Sequence, residues 1–423
     1  MRHPLSRSSA IARAGLAPRL ARSFALPFVS VLALLVAVLP ARSARRPHFG
    51  GTLRVDVGAA VNSLDAAVAA SDPAEAAAEA QIESLLYDRS GATSSQPAPG
   101  AFRLSAWEPG KRVALAANED YRGGRPFVDS IEIVTARSPR DRLLDLELGK
   151  ADVAEIPTDQ ARRATDGGVR VSVSRPDELL ALVFSAASAA AQNAAIRRSI
   201  AASMDRVSMV SVIFQKTGEP ASSLLPQWCS GTAFLFSPPG ESAGPQSSAA
   251  ASPPTSASSV QEPQPQIASS PALVLGYDSA DILEQSVAER IVVIARESGI
   301  AIAARPFPPS QQSSPAAVPT GFDGRLVRWT MPSPHPREAL AGFLASFPDL
   351  AAAAQVLPTA LPASASSQDV YELQRKLLSD SHIIPLVWLP QVYGLSSRVR
   401  DWSAPAPGEG WPLADVWLAG DAP

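Results

Sequence analysis

The sequence predicts an α/β fold, in which strands and helices stack in layers. Two segments carry this reading. Residues 272–304 run strand, helix, strand: Ala272–Gly276 is a short apolar run, and Ile282, Leu283, Val287, Ile291 and Ile294 recur at helical spacing within 280–298. Gly299 stops that helix, and Ile300–Ala304 returns as a strand. A crossover helix of this length joins parallel strands. Residues 138–156 show a second helix-then-strand unit, and 423 residues leave room for two to three domains.

The other elements follow in order. TLRVDV at 52–57 alternates apolar and polar side chains, as a half-buried strand does. Pro73–Leu86 is an Ala-rich helix, and 88–101 reads as a loop. Val113–Ala117 and Ser130–Thr135 are strands joined by a connection rich in Asn, Asp, Gly and Pro. Ser138 caps a helix with Pro139 at its first position, Asp141 three residues on and Gly149 at its end. Ala151–Ile156 and Leu180–Phe184 are strands, and Asn193–Phe214 reads mostly as helix. A strand at Leu326–Trp329, a helix at Val370–Leu378 and a strand at Ile383–Leu389 complete the pattern.

Three stretches break it. Residues 237–271 hold eight prolines in 35 positions, no aromatic residue and only two charges. Such a segment cannot bury enough apolar area to offset its ordering entropy, so it predicts a disordered insertion. Residues 305–319 and 351–368 read as milder versions of the same surface insertion.

Composition excludes several function classes. A single cysteine, Cys229, rules out an internal disulfide, a cysteine-rich zinc module and an iron–sulfur cluster. The four histidines are scattered at 3, 48, 335 and 382, a pattern that predicts no metal site. The chain has no Gly-rich phosphate loop, His-Glu-x-x-His or Gly-x-Ser-x-Gly motif, so no cofactor and no catalytic residue are predicted. Basic residues are mostly arginine, which raises nucleic-acid binding. However, eight of the arginines lie in residues 1–46, and the remainder carries a net charge of −11, unsuited to a phosphate partner.

The first 44 residues read as an export signal. Arg2, Arg7, Arg13, Arg19 and Arg22 precede the uncharged stretch Ser23–Ala41, and small residues follow at Ala41, Ser43 and Ala44. Cleavage is expected near Ser43 or Ala44; the alternative is an uncleaved membrane anchor.

Taken together in order, several segments resemble the periplasmic solute-binding proteins of family 5, which serve oligopeptide, dipeptide and nickel importers. These are FGGTLRVDVGAAVNSLDAA at 49–67, FRLSAWEPGKRVALAANEDYRGGRPFVDSIEI at 102–133, and RDRLLDLELGKADVAEIP at 140–157. AAIRRSIAASMDRVSMV, GEPASSLLP, the 273–303 unit, and IIPLVWLPQVYGLSSRVRDW with LADVWL extend the match toward the C-terminus. The resemblance implies a two-lobed type II clamp: lobe 1 at 45–183, lobe 2 at 184–382 and a return to lobe 1 at 383–423. The crossings between lobes would lie near Val183–Ser185 and Val392–Leu395.

The resemblance further implies a non-enzymatic monomer that carries a small-molecule or peptide ligand to a membrane permease. Two departures stand out. The family's small subdomain of lobe 1 would lie between Tyr87 and Phe102, where only 88–101 remains. Peptide-binding relatives place an Asp shortly after the Trp matched by Trp329, whereas Thr330, Met331, Pro332 and Ser333 follow it here. By the resemblance, Trp329, Arg328, Trp228 and Met331 are the ligand-binding candidates. Trp329 serves equally as a core residue at a strand end, and Arg328 as a solvated one. Trp388, Trp402, Trp411 and Trp417 are expected in the core of lobe 1. The rival to transport is a secreted structural or interaction protein that keeps the fold as a scaffold.

Overall fold

Where side chains alternate between water and core, the chain pairs as expected. The computed structural model describes residues 47–64, 73–88, 98–236, 272–307, 318–356, 361 and 365–420. The expected export signal and the insertion at 237–271 lie outside them. The main strands are β1 (Thr52–Asp56), β2 (Phe102–Glu108), β3 (Arg112–Ala117), β4 (Ser130–Val134), β5 (Val153–Glu155), β6 (Arg170–Val173), β7 (Glu178–Phe184), β8 (Glu219–Pro220), β9 (Leu273–Asp278), β10 (Ile302–Phe307), β11 (Gly324–Thr330), β12 (Ile383–Leu389) and β13 (Val392–Leu395).

Among the described residues these strands form two large sheets. The first runs β2-β3-β4-β1-β5-β13-β6, and the second β8-β12-β7-β11-β9-β10. β1 lies parallel to β4 and β5 at the centre of the first sheet. β9 lies parallel to β10 and β11, as the strand–helix–strand pattern requires. The remaining pairs in the second sheet are antiparallel.

Helix ends follow their caps. The helix α1 (Pro73–Leu86) packs against the first sheet, where Ala78, Ile82 and Leu85 join its core. Ser138 accepts a hydrogen bond from the Asp141 amide to start α2 (Pro139–Glu147), and Gly149 leaves it with φ +66°. The long helix expected over 193–214 is broken. The segment α3 (Ala194–Ser203) ends where Met204 turns extended, because the Asp205 side chain accepts from the Ser208 amide and starts a separate turn. Asp281 caps α4 (Ile282–Glu297) through its Oδ1. The helix α5 (Pro336–Ser346) and a short helix at Pro348–Ala353 replace part of the loop expected from 351. A capping box between Ser366 and Asp369 opens α6 (Ser367–Leu378).

The second sheet is covered on both faces, so β12 is buried along its whole length and β7 from Leu179 to Phe184. Alternate side chains divide between two cores. Leu179, Ala181, Val183, Val327 and Trp329 pack with α5 and α6, while Leu180, Leu182, Phe184 and Leu326 pack with α4. The crossings between sheets fall earlier than the sequence suggested. β7 and β12 are full members of the second sheet. The chain therefore passes between sheets at Ser174–Asp177 and at Pro390–Gln391. The reason is pairing: apolar β7 finds partners in β11 and β12 along its whole length. For the same reason Trp388, on β12, packs in the second core with Trp329 rather than in lobe 1.

Candidate functional site

The two crossings run side by side and are tied together. The Ser174 amide donates to Gln391 O, and the Gln391 amide donates to Ser174 Oγ, both at 2.9 Å. The Asp177 amide donates to Leu389 O at 3.0 Å, and Gln391 Nε2 donates to Asp177 Oδ2 at 2.9 Å. The Tyr393 hydroxyl in turn donates to Gln391 Oε1. Segments more than 200 positions apart in sequence thus form one hydrogen-bonded floor.

Above this floor lies a cavity of about 770 Å³ between the lobes. Lobe 1 contributes Ala77, Gln81 and Ser84 of α1, Tyr121, and much of the loop 405–415 with Trp411. Lobe 2 contributes Thr330, Met331 and Pro332, at the end of β11. Asp177 and Gln391 line it from the crossings. The lobes approach closely at the rim. Gly408 sits at φ +74°, and a Cβ there would lie 2.0 Å from the Pro332 carbonyl oxygen, so only glycine allows this contact.

The four residues expected at the ligand are not brought together. Met331 lines the cavity, and its amide donates to Asp177 O at 2.8 Å. Trp329 corrects the stacking expectation. It points into the core of lobe 2, 5% exposed, with its ring 5.2 Å edge-on from Phe343 and 6.4 Å from Trp388. Arg328, its neighbour on β11, must face the opposite side of the sheet. There it meets carboxylates of the protein itself: Asp281 at 2.7 Å, Glu178 at 3.0 Å and Glu284 at 3.6 Å. Burial opposes its charge, but these three neighbours more than offset that and hold the guanidinium ionised. Trp228 is half-buried beside the first crossing. Its Nε1 donates to Pro176 O at 2.9 Å, and the Arg175 guanidinium lies over its ring. Cys229 is partly buried, and burial pushes its thiol up to about 11, out of the range of a nucleophile.

Asp177 is the residue that sequence reading missed. It is 1% exposed. One oxygen accepts from Gln391, while the other has no hydrogen-bond partner. Burial, then the neighbouring Glu178 charge, pushes its carboxyl up to about 7. The only signal in the sequence was its place directly before the apolar run ELLALVF.

Buried carboxyls shape the response to pH elsewhere too. Burial lifts Glu284 to about 7, and burial with Asp145 nearby raises Asp56. A carboxyl raised on folding contributes most below its unfolded value, and that contribution is lost as pH rises through the folded value. His382, kept neutral by burial and then by Arg197, acts in the opposite sense as a single group. The melting temperature is therefore expected to rise as pH falls from 8 to 5. Differential scanning calorimetry tests this, and a flat or falling melting temperature over that range contradicts it.

A family model described as "Bacterial extracellular solute-binding proteins, family 5 Middle" matches residues 54–349. The chain belongs to the family 5 solute-binding proteins. Among curated proteins it is similar to Protein XP55 of Streptomyces lividans, 30% identical over 128 residues, or 30% of this chain and 24% of that protein. It is also similar to the oligopeptide-binding protein AppA of Bacillus subtilis, 22% identical over 29% of this chain and 23% of that protein. The chain thus matches about a quarter of the length of these curated relatives.

Solved structures share the fold. The substrate-binding protein CtaP of Listeria monocytogenes superposes with a TM-score of 0.58 at 17% identity, over 75% of this chain and 66% of that one. AppA of Bacillus subtilis, solved with a nonapeptide, gives 0.57 at 11% identity over 89% of this chain. That alignment covers 100% of the AppA chain. The fold is therefore the type II clamp of this family, whose members are extracellular binding proteins rather than enzymes. Among the described residues, no helix is long and apolar enough to cross a membrane.

Proposed function

We propose that this family 5 protein is an exported monomer that binds a small or peptide-like solute between its lobes and delivers it to the permease of an ABC importer. The observation that carries the reading is the cavity of about 770 Å³, which has walls from both lobes and a floor made of the two crossings. Such a site couples occupancy to lobe position, because a ligand touching both walls favours the closed arrangement. Two adjacent, hydrogen-bonded crossings are short enough to act as a hinge. The closed form would present both lobes to a membrane partner, which supplies the energy of transport.

The test is a thermal-shift screen of the purified protein against amines, amino acids, peptides, opines and nickel chelates, followed by small-angle scattering of any hit. A ligand at about 100 times its Kd is expected to stabilise the protein by about 2.7 kcal/mol. Scattering is expected to show a smaller radius of gyration with ligand. No shift with any solute, together with unchanged scattering, would instead favour a secreted scaffold that has kept only the fold.

A further inference from the structure

The described wall of the cavity carries an unbalanced charge. Asp88, Asp177, Glu409 and Asp415 line it, and no described lining residue is Lys, Arg or His. Asp88 is engaged by Arg122. Among the described residues no cation pairs with Asp177. Arg328 is taken by Glu178, Asp281 and Glu284. Arg175 instead lies over the Trp228 ring. A carboxylate withdrawn from water needs a compensating charge or hydrogen bonds. Asp177 receives a hydrogen bond on one oxygen from Gln391 and leaves the other, itself buried, without a partner at the edge of the cavity.

We propose that the cleft selects an organic cation, a solute bearing a primary ammonium and no carboxylate, and that Asp177 Oδ1 receives that ammonium. This rests on the reading of the cleft as a solute site. A cavity walled by one sign of charge attracts the opposite sign and repels its own. An ammonium would supply the missing donor to Asp177, whereas a carboxylate on the same solute would find no described cation in the wall. Gln391 positions the carboxylate through Oδ2 and is itself held by the Tyr393 hydroxyl.

The same contact makes recognition depend on pH. The groups around Asp177 are Glu178 on β7, the uncharged Thr330–Pro332 segment, Gln391 on the second crossing and Tyr393 on β13, with Glu409 and Asp415 in the lobe 1 wall of the same cavity. Burial keeps a large share of Asp177 protonated near neutrality, and an ammonium favours its ionised form. Affinity for a cation therefore rises as pH increases from 6 to 8.

Isothermal titration calorimetry with four probes tests the proposal: spermidine, alanyl-alaninamide, alanyl-alanine and N-acetyl-alanyl-alanine. The first two should bind, the zwitterion should bind at least about tenfold more weakly, and the acetylated anion should not bind. Asp177→Asn, similar in shape, should weaken spermidine by about tenfold or more. Its far-UV circular dichroism establishes that it is folded. If it is not, the pH series on the unaltered protein decides, with a several-fold gain in affinity from pH 6 to 8 expected. Equal binding of the acetylated anion, full affinity in the folded variant, or affinity that is flat or falls with pH would overturn the proposal and leave the solute site standing. Binding of none of these probes, with binding of a neutral or anionic solute in the wider screen, would do the same. Silence across the whole screen would overturn both.

Discussion

Replacing Trp329 by Ala should lower the unfolding free energy by about 4 kcal/mol, as expected for removing a large aromatic ring from a packed core. The ring is 5% exposed and meets Phe343 and Trp388 edge-on. Its loss leaves a cavity between β11 and α5 that the rigid second sheet cannot fill. Urea denaturation followed by tryptophan fluorescence would read the change. In the folded fraction, solute affinity should stay close to that of the unaltered protein, because Trp329 does not line the cleft cavity. A loss below about 1 kcal/mol combined with a collapse in affinity would place the ring on the ligand and reject this assignment.

Arg328→Met should destabilise by about 3 kcal/mol at pH 8 for a different reason: it strands three carboxylates around a vacated site. Glu178 comes from β7, Asp281 caps α4, and Glu284 stands in the first turn of the same helix. The guanidinium thus ties the centre of the second sheet to the helix that covers it. About a quarter of its side chain reaches solvent, which places the expected loss at the low end for a buried pair. Acid should relieve the damage. Glu284 is already raised to about 7 with the arginine present, and without it the cluster takes up protons more readily. The loss measured in urea should therefore shrink between pH 8 and pH 5. An equal loss at both values would mean that Arg328 contributes packing through its methylene stem rather than charge.

The two predictions concern adjacent residues with unrelated roles, and period-two alternation explains why. Neighbours on a strand face opposite sides of the sheet, so Trp329 and Arg328 could not share one ligand on one face. Alternation alone leaves open which face, if either, meets the cleft. That depends on β11 lying inside the sheet, antiparallel to β7 and with helices on both sides. The cavity instead takes the last residue of the strand, Thr330, and the two that follow it, Met331 and Pro332.

What the sequence determined by itself was local. The spacing of Ile and Val residues over 280–298, the stop at Gly299, the Ser138 cap and the alternation of TLRVDV each express a short-range preference, and each reappears in the folded chain. The order of such segments also carried the family, and with it the clamp fold. Only the tertiary structure decided where the lobes exchange strands and which carboxylate faces the cleft. An apolar run such as ELLALVF is suited to the interior of either sheet, and its membership follows from partners in β11 and β12, the latter some 200 positions away. Once that pairing moved the first crossing back to Ser174–Asp177, Asp177 came to rest beside Gln391 in the cavity floor. A search limited to the residues after Trp329 could not find it, because contact between distant segments is set by the folded backbone and not by local spacing.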